Sequence, residues 1–241
     1  MLKYKIADVV FTAEVNYPYV VRVCKDYEYD GDEQPAFHAK VTQADIDEEK
    51  SKSEQVFPDA YCESLALFRK LCNYALSEVD GIIFHSSAIM VDGKAYLFTA
   101  PSGTGKSTHA RLWREMLGDR AVMINDDKPI IRYIDGKFFV YGTPWTGKHN
   151  LGTNARAEIK AICKIYQAKE NIIKKASASE MLLTVLNQTI RPEDAGDMDK
   201  LLTLIDKMLR TVGIYTLGCN ISREAAETSF NYMSKENSDE N

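Results

Sequence analysis

The sequence AYLFTAPSGTGKSTHARLW occupies residues 95–113 and combines three local patterns. Ala95–Thr99 is a short apolar, aromatic-rich run that predicts a strand. Ser102–Gly105 is a turn of small residues, and a helical pattern begins at Ser107. A glycine-rich turn at a helix N-terminus places backbone N–H groups and the positive end of the helix dipole around an anion. The order of strand, glycine loop and helix therefore predicts a phosphate-binding loop.

This predicted loop carries the side chains that a nucleoside triphosphate requires. Lys106 can reach the β- and γ-phosphates, and the hydroxyl of Ser107 can ligate Mg²⁺. The remaining phosphate-binding positions are Ser102, Gly103, Thr104, Gly105 and Thr108. Ala100 stands where this motif usually has its first glycine, which is a minor loss because alanine is small. The implied cofactors are ATP and Mg²⁺.

A carboxylate pair follows downstream, where the apolar run of Ala121–Asp127 ends in Asp126 and Asp127. Gly118-Asp119 separates this run from the preceding helix, so strand, loop, helix and strand are predicted to form a βαβ unit with the two strand ends side by side. Ligands bind at the carboxyl ends of such strands. One carboxylate can hold Mg²⁺ directly or through water, and the other can accept a proton from a hydroxyl. The alternative is a simple turn after a strand.

His85 precedes the loop within a predicted hairpin. Ile82–Val91 predicts one strand, Asp92-Gly93 is a two-residue turn signal, and Lys94–Thr99 predicts the returning strand. Since residues 92 and 93 form the turn, paired positions sum to 185, which places His85 opposite Ala100. A histidine there could contact the transferring phosphate or tune proton transfer near neutral pH. A purely structural histidine is the alternative.

Two further cations are candidates for phosphate binding. Lys148 ends the glycine-hinged segment GTPWTGK at Gly142–Lys148, and it could clamp the γ-phosphate or the acceptor. The same segment could equally be a surface turn that is anchored by Trp145. Arg191 follows a predicted helix, so it is either a second phosphate cation or a helix-end arginine.

Together these motifs resemble the catalytic domain of HPr kinase/phosphorylase and, more distantly, the ATP-dependent phosphoenolpyruvate carboxykinases. The resemblance is strongest to small bacterial HPr-kinase-like proteins, and it covers about residues 81–192. It is carried by the motifs SGTGKST at Ser102–Thr108, NDD at Asn125–Asp127 and GTPWTGK at Gly142–Lys148. The resemblance implies an α/β fold with an HPr kinase-like P-loop core and a mixed sheet.

The same resemblance implies roles for the two aspartates, with Asp126 as the catalytic base and Asp127 on the metal side. The chain departs from the family at Ser86, which replaces a glycine after His85, and it lacks a counterpart of the family's acidic signature segment. HPr itself is therefore not implied as the acceptor.

The predicted function is an ATP-Mg-dependent kinase that transfers the γ-phosphate to a hydroxyl, with a serine of a protein, a peptide or a small molecule as the expected acceptor. Two alternatives use the same residues. One is a non-catalytic nucleotide-binding sensor, and the other is phosphorylase or pyrophosphate-linked chemistry. A sensor needs no catalytic base, so the intact Asp126-Asp127 pair favours an enzyme.

Composition limits the partners. The chain has 241 residues, a net charge of −5 and 45% hydrophobic residues, which is enough for one large or two small domains. No basic stretch is interleaved with aromatic residues, so a nucleic-acid partner is not expected.

Five scattered cysteines without a CxxC pair predict reduced core thiols. The sequence shows neither a signal-peptide pattern nor an apolar run near ~18 residues, which predicts a cytoplasmic protein without a membrane partner. A homo-oligomer is left open.

The predicted organisation is a β-rich N-terminal region with a packing helix at residues 1–78 and a catalytic core with a helical C-terminal part at residues 79–241. In the first region, Tyr4–Phe11 and Tyr19–Val23 predict strands, Asp45–Glu54 predicts a solvated loop or helix face, and Ala60–Ser77 predicts a helix with Asp59 as its N-cap. The later predictions are helices at Ser179–Gln188 and Ala195–Val212, a strand at Gly213–Leu217, a helix opened by Ser222, and a frayed polar tail.

Overall fold

The computed structural model describes residues 2–192 and 194–235, which form a mixed α/β fold. The strands in this part of the chain are β1 (Leu2–Ile6), β2 (Val9–Glu14), β3 (Phe37–Lys40), β4 (Gly81–Ile83), β5 (Ser87–Val91), β6 (Lys94–Thr99), β7 (Ala121–Asn125), β8 (Ile130–Ile134), β9 (Lys137–Tyr141), β10 (Arg156–Gln167), β11 (Ile172–Lys175) and β12 (Gly213–Cys219). The helices are α1 (Pro18–Val23), α2 (Gln43–Ser51), α3 (Asp59–Val79), α4 (Lys106–Leu117), α5 (Ala178–Asn187), α6 (Ala195–Thr211) and α7 (Arg223–Ser234).

The N-terminal region contains a three-stranded sheet in the order β1-β2-β3. The predicted run Tyr4–Phe11 is a hairpin, because the chain turns at Ala7 and Asp8, which both have positive φ. The prediction of a strand at Tyr19–Val23 was wrong, since these residues belong to α1. Pro18 suits the first position of a helix because its φ is already fixed.

A buried carboxylate fixes the start of α1. Glu63 of α3 is fully buried and accepts hydrogen bonds from the backbone N–H groups of Asn16 and Tyr17. These donors precede the helix and would otherwise lack partners. The tertiary contact with α3 therefore overrides the β propensity of the local sequence.

The charged segment at Asp45–Glu54 contributes to α2, which agrees with the helical alternative of the prediction. This helix begins with a capping box between Thr42 and Asp45. Helix α3 extends the predicted Ala60–Ser77 by a few residues, and its N-cap is Pro58. The carboxylate of Asp59, the expected cap, lies 2.5 Å from the ammonium of Lys50.

One hydrophobic core spans the predicted boundary at residue 78. It contains Leu67 and Leu71 of α3 together with Ile83, Tyr141 and Trp145 from the larger sheet region. The packing therefore joins the N-terminal sheet to the rest of the chain through α3. The division at residues 78 and 79 stays a prediction.

The larger sheet has nine strands, with β4-β8-β9-β10-β6-β5-β7 in order and β12 and β11 added beside β10. Strands β6 and β7 run parallel, as predicted. The prediction that their ends lie side by side was wrong, because β5 lies between them and pairs antiparallel with both. Strand β5 pairs with the edge of β6, so β7 pairs with β5 and not with β6.

The predicted hairpin register is confirmed for β5 and β6, with Ser87 opposite Phe98 and Val91 opposite Lys94. The predicted pairing of His85 with Ala100 was wrong, because β5 begins at Ser87 and the backbone N–H of His85 donates to the carbonyl oxygen of Gln188. The single strand predicted at Ile82–Val91 was wrong, since it divides into β4 and β5. The interval between them makes other contacts: Phe84 bridges to Thr189, and the N–H of Ser86 donates to the carbonyl oxygen of Asp127.

The C-terminal elements follow the predicted order, with β11 as an addition that the sequence pattern did not indicate. Ser222 caps α7, as predicted. The five cysteines are buried free thiols. Within residues 2–192 and 194–235, none of the helices combines the length and apolarity needed to cross a bilayer. The predicted frayed tail begins at Ser234, which is the last residue of α7, and its residues 236–241 lie outside the described part of the chain.

Candidate functional site

The glycine loop connects β6 to α4. Gly103 and Gly105 have φ values of 77° and 123°, a region that favours glycine. Lys106 is the first residue of α4 and is only 8% exposed, and its Nζ donates to the carbonyl oxygen of Ala100 at 2.7 Å. Burial lowers the pKa of Lys106, whereas the negative charge of Asp127 acts in the opposite direction. The ammonium group is therefore folded against the loop and lies within the electrostatic reach of Asp127.

Asn125 holds the turn that carries the two aspartates. This residue is fully buried at the end of β7, and its Oδ1 accepts the backbone N–H groups of Asp127 at 2.8 Å and Lys128 at 2.7 Å. Its Nδ2 donates to the carbonyl oxygen and the hydroxyl of Thr143. Sequence reasoning did not assign Asn125 a role, although an asparagine that begins a turn after a strand is a known signal for such a side-chain-to-backbone bond.

Asp126 is a buried carboxylate with one free oxygen. The side chain is 5% exposed, and its Oδ1 accepts the N–H of Gly147 at 2.6 Å. Its Oδ2 is buried without a hydrogen-bond partner among the described residues. Burial raises the pKa of Asp126 above its usual value, although the N–H of Gly147 opposes this effect. One oxygen thus remains available to a proton or a cation.

Asp127 is held by an imidazole and an ammonium group. Its Oδ1 lies 2.8 Å from Nε2 of His85, and its Oδ2 lies 3.0 Å from Nζ of Lys128. Burial alone would raise the pKa of Asp127, but the hydrogen bond from His85 and the charge of Lys128 outweigh it and lower the pKa to about 2. The two adjacent aspartates therefore have pKa values that are shifted in opposite directions.

The side chain of His85 contacts the site by its bond to Asp127, and the residue precedes the paired part of the hairpin. Its backbone N–H donates to the carbonyl oxygen of Gln188, and its carbonyl oxygen accepts the hydroxyl of Thr99 at 3.1 Å. The end of β6 and the end of α5 thus fix the backbone at this position. The imidazole is directed to the carboxylate of Asp127.

Replacement of His85 by alanine is expected to lower the free energy of unfolding at pH 7 by about 1 kcal/mol, since a partly exposed hydrogen bond to a charged group is lost. The pKa of Asp127 is depressed from 3.8 to about 2, so the stability linked to it is present above pH 3.8 and is lost as the pH falls toward 2. The difference between wild type and variant should therefore shrink over that interval. Urea unfolding at several pH values measures it.

A matched control for this prediction is His38→Ala, because His38 makes an exposed pair with Glu14 at 3.4 Å. Exposed pairs contribute little to stability. Equal losses for His38→Ala and His85→Ala at pH 7 would contradict the importance of the His85–Asp127 contact.

Trp145 anchors the segment Gly142–Lys148, as the surface-turn interpretation proposed. The indole is 5% exposed, donates to the carbonyl oxygen of Ser64 at 3.0 Å and stacks on Phe68 at a centroid distance of 4.5 Å. Lys148, three residues later, is exposed and makes no hydrogen bond or ion pair with any residue that the structure describes. An anchored turn therefore presents a free cation.

A cavity of about 510 Å³ brings the predicted residues together from three segments. It is lined by Ser107 and Thr108 at the start of α4, by Asp126 after β7, and by Lys148. Gly103, Thr104 and Gly105 line a neighbouring cavity of about 460 Å³, next to the ends of β10 and β12. Ser102 is exposed on the loop.

Arg191 is not brought to this cavity. It lines a separate cavity of about 580 Å³ beside α2 and α3, and its guanidinium lies 3.2 Å from the side-chain oxygen of Asn187 at the end of α5. This contact matches the helix-end interpretation of Arg191.

Across residues 2–192 and 194–235 there is no group of three or more His, Cys, Asp or Glu side chains arranged to hold a metal ion. Magnesium that is bound with a nucleotide commonly needs only one or two carboxylates, because phosphate oxygens and waters complete its shell. Ser107, which carries a hydroxyl, lines one cavity together with Asp126, and the carboxylate of Asp127 is next to Asp126 in the chain. These oxygen donors fit a Mg²⁺–nucleotide complex.

No protein-family model matches the chain, and none of the curated proteins matches it. Among solved structures, the chain is distantly similar to the Hpr(Ser) kinase/phosphatase from Coxiella burnetii, with a TM-score of 0.36 and 8% sequence identity. The match covers 64% of this chain and 99% of that protein. A similarity at this level does not establish a shared activity.

Proposed function

We propose that the protein is an ATP-dependent kinase that transfers the γ-phosphate to a hydroxyl group of an acceptor. The observation that carries this proposal is the position of Asp126. Asp126 lines the same cavity as Ser107 at the N-terminus of α4, and its Oδ2 has no hydrogen-bond partner among the described residues. A proton acceptor thus lies beside a candidate phosphate-binding loop.

The loop and the start of α4 are proposed to bind the triphosphate. Glycine at residues 103 and 105 permits the backbone conformation of the loop, and the 12-residue helix α4 directs the positive end of its dipole toward it. Lys106 is proposed to exchange its bond to the carbonyl oxygen of Ala100 for phosphate oxygens. Lys148, which has no partner among the described residues and lines the cavity beside Asp126, would bind either the transferring phosphate or the acceptor.

When bound, Mg²⁺ would neutralise charge that develops on the phosphate oxygens. Ser107 is proposed as its protein ligand. Asp127 would act on the metal side, directly or through water, and its low pKa keeps it ionised at neutral pH. His85 and Lys128 orient this carboxylate.

The proposed transfer is a direct displacement. The acceptor oxygen forms a bond to the γ-phosphorus, and the bond from that phosphorus to the bridging oxygen breaks, with the electron pair leaving on ADP. The hydroxyl proton passes to Oδ2 of Asp126. The raised pKa of Asp126 suits this role, since it makes the carboxylate a stronger base than an exposed aspartate.

The test is transfer of labelled phosphate from [γ-³²P]ATP into serine-containing peptides, hydroxy acids and neutral polyols, with Mg²⁺ present. We expect an acid-stable phosphoester and one ADP for each ester formed. Nucleotide binding is followed separately as thermal stabilisation by Mg-ATP. Stabilisation without transfer to any acceptor class would favour the non-catalytic sensor and overturn the kinase proposal.

A further inference from the structure

A second cavity adjoins the proposed phosphate site and shares Lys148 with it. Its volume is about 420 Å³, and it lies between the N-terminal region and the Gly142–Lys148 segment. Its lining includes Tyr19 of α1, Tyr61 and Leu65 of α3, Pro144, Asp127 and Lys128. Pockets for small molecules have volumes of roughly 300–1,000 Å³, so this cavity suits a compact ligand and not a folded protein domain.

Both walls of this cavity are fixed to α3. On one side, the carboxylate of Glu63 accepts the backbone N–H of Tyr17 at 3.0 Å and holds the start of α1. On the other side, the indole N–H of Trp145 donates to the carbonyl oxygen of Ser64 at 3.0 Å. Glu63 and Ser64 are adjacent in sequence and both buried. The cavity is therefore preformed by packing and does not depend on closure of a loop.

The charges at the cavity favour an anionic ligand. Lys128 and Lys148 line it together with one carboxylate, Asp127. That carboxylate is already paired with the ammonium of Lys128 and also contacts the imidazole of His85. Lys148 remains without a partner among the described residues. The net surplus is one cation, next to the aromatic faces of Tyr19 and Tyr61, whose centroids are 6.1 Å apart.

The cavity adjoins the Ser107–Asp126 cavity at the end of the anchored turn. Lys148 lines both cavities. Gly147 lines the 420 Å³ cavity and Asp126 lines the 510 Å³ cavity. The backbone N–H of Gly147 donates to Oδ1 of Asp126. A Cβ at Gly147 would lie 3.2 Å from Oδ2 of Asp126, so glycine allows the close approach of the two. A hydroxyl presented from the smaller cavity would face the phosphate across Gly147 and Lys148.

We infer that this cavity binds the acceptor and that the acceptor is a small hydroxyl compound with an anionic group, not a protein or peptide. The inference rests on the proposed kinase function. The anionic group would pair with Lys148, the carbon skeleton would lie against Tyr19 and Tyr61, and the hydroxyl would point to Asp126. The hydroxyl oxygen gains the phosphoryl group, its proton passes to Asp126, and ADP leaves.

The first arm of the test compares acceptors at equal concentration. The panel contains hydroxy carboxylates (glycerate, lactate, malate, gluconate, serine and threonine), a hydroxy phosphate (glycerol 1-phosphate), the neutral polyol glycerol, and a serine hexapeptide. We expect transfer to a member of the anionic classes, and the two classes separate carboxylate from phosphate as the recognised group. Transfer to the peptide or to glycerol alone would overturn the inference while leaving the kinase function in place. An absence of transfer to every compound would overturn both.

The second arm of the test uses two variants of lining residues, of which Leu65→Trp fills the cavity and Tyr19→Ala widens it. Leu65→Trp and Tyr19→Ala should each raise KM for the best acceptor by about tenfold or more, because the tryptophan occupies the space of the acceptor and the alanine removes a binding contact remote from the phosphate. Thermal stabilisation by Mg-ATP should stay close to that of wild type. Asn73→Trp, an exposed position further along α3, is the matched control and should leave both quantities unchanged. Unaltered acceptor KM in both Leu65→Trp and Tyr19→Ala would overturn the inference, and Tyr19→Ala keeps the test valid if Leu65→Trp fails to fold.

Discussion

Replacing Asp126 by asparagine is expected to slow phosphate transfer by roughly 10²- to 10⁴-fold, the usual contribution of a general base. The amide retains the shape of the carboxylate and can still accept the N–H of Gly147, but it cannot take the proton of the acceptor. Mg-ATP affinity should stay within several-fold of wild type. Single-turnover transfer and thermal stabilisation by Mg-ATP measure the two quantities separately.

Stability provides an independent check on the same variant. The folded-state pKa of Asp126 is raised, so ionisation of this carboxyl is less favourable in the folded chain than in the unfolded chain. As the pH rises through the ordinary aspartate range, wild type therefore loses stability that the asparagine variant keeps. We expect Asp126→Asn to be no less stable than wild type at pH 7, which would exclude misfolding as the cause of slow transfer.

Asp127→Asn is the comparison that separates the two carboxylates. It removes a charge that is held by His85 and Lys128, so it should weaken Mg²⁺-dependent nucleotide binding and transfer together. If Asp126→Asn transferred phosphate at the wild-type rate while Asp127→Asn did not, Asp127 would be the base and the proposed roles would be reversed. Normal turnover in both variants would leave the aspartates as a structural turn.

The local parts of the site were predictable from sequence because short-range rules fix them. A two-residue Asp92-Gly93 turn determines the pairing of its strands, so the register of β5 and β6 followed directly. The glycine loop, the strand before Asp126 and the cap of α7 at Ser222 also depend on neighbouring residues. In each case the residues that form the contact are close in sequence.

Features that depend on distant contacts were not predictable in this way. Residues 19–23 have β propensity, yet the carboxylate of Glu63 fixes the preceding backbone and α1 forms. At the strand break, the N–H of His85 donates to the carbonyl oxygen of Gln188, which lies far along the chain. For the same reason, neither the contact of His85 with Asp127 nor the cavity walled by α1 could be inferred from sequence spacing.

Lys106→Ala is expected to remove most of the thermal stabilisation by Mg-ATP. The ammonium of Lys106 is the cation held against the glycine loop, and it is already partly desolvated, so an anion that replaces the carbonyl oxygen of Ala100 would gain a strong charge-assisted hydrogen bond. A loss of about 2–3 kcal/mol in binding, as for a hydrogen bond to a charged group, corresponds to roughly 30- to 150-fold weaker affinity. Differential scanning fluorimetry across a range of Mg-ATP concentrations gives this value.

The fold itself should tolerate Lys106→Ala, because alanine is the best helix former and the lysine is the first residue of α4. Lys94→Ala is a matched control: Lys94 pairs with Glu158 at the opposite end of β6, away from the loop. We expect the apo melting temperatures of the two variants to be close to that of wild type and only Lys106→Ala to lose the nucleotide response. Wild-type stabilisation by Mg-ATP in Lys106→Ala would refute the phosphate-loop assignment, and with it the proposed kinase function, because no other cation in the described structure is held against the glycine loop by a bond to its backbone.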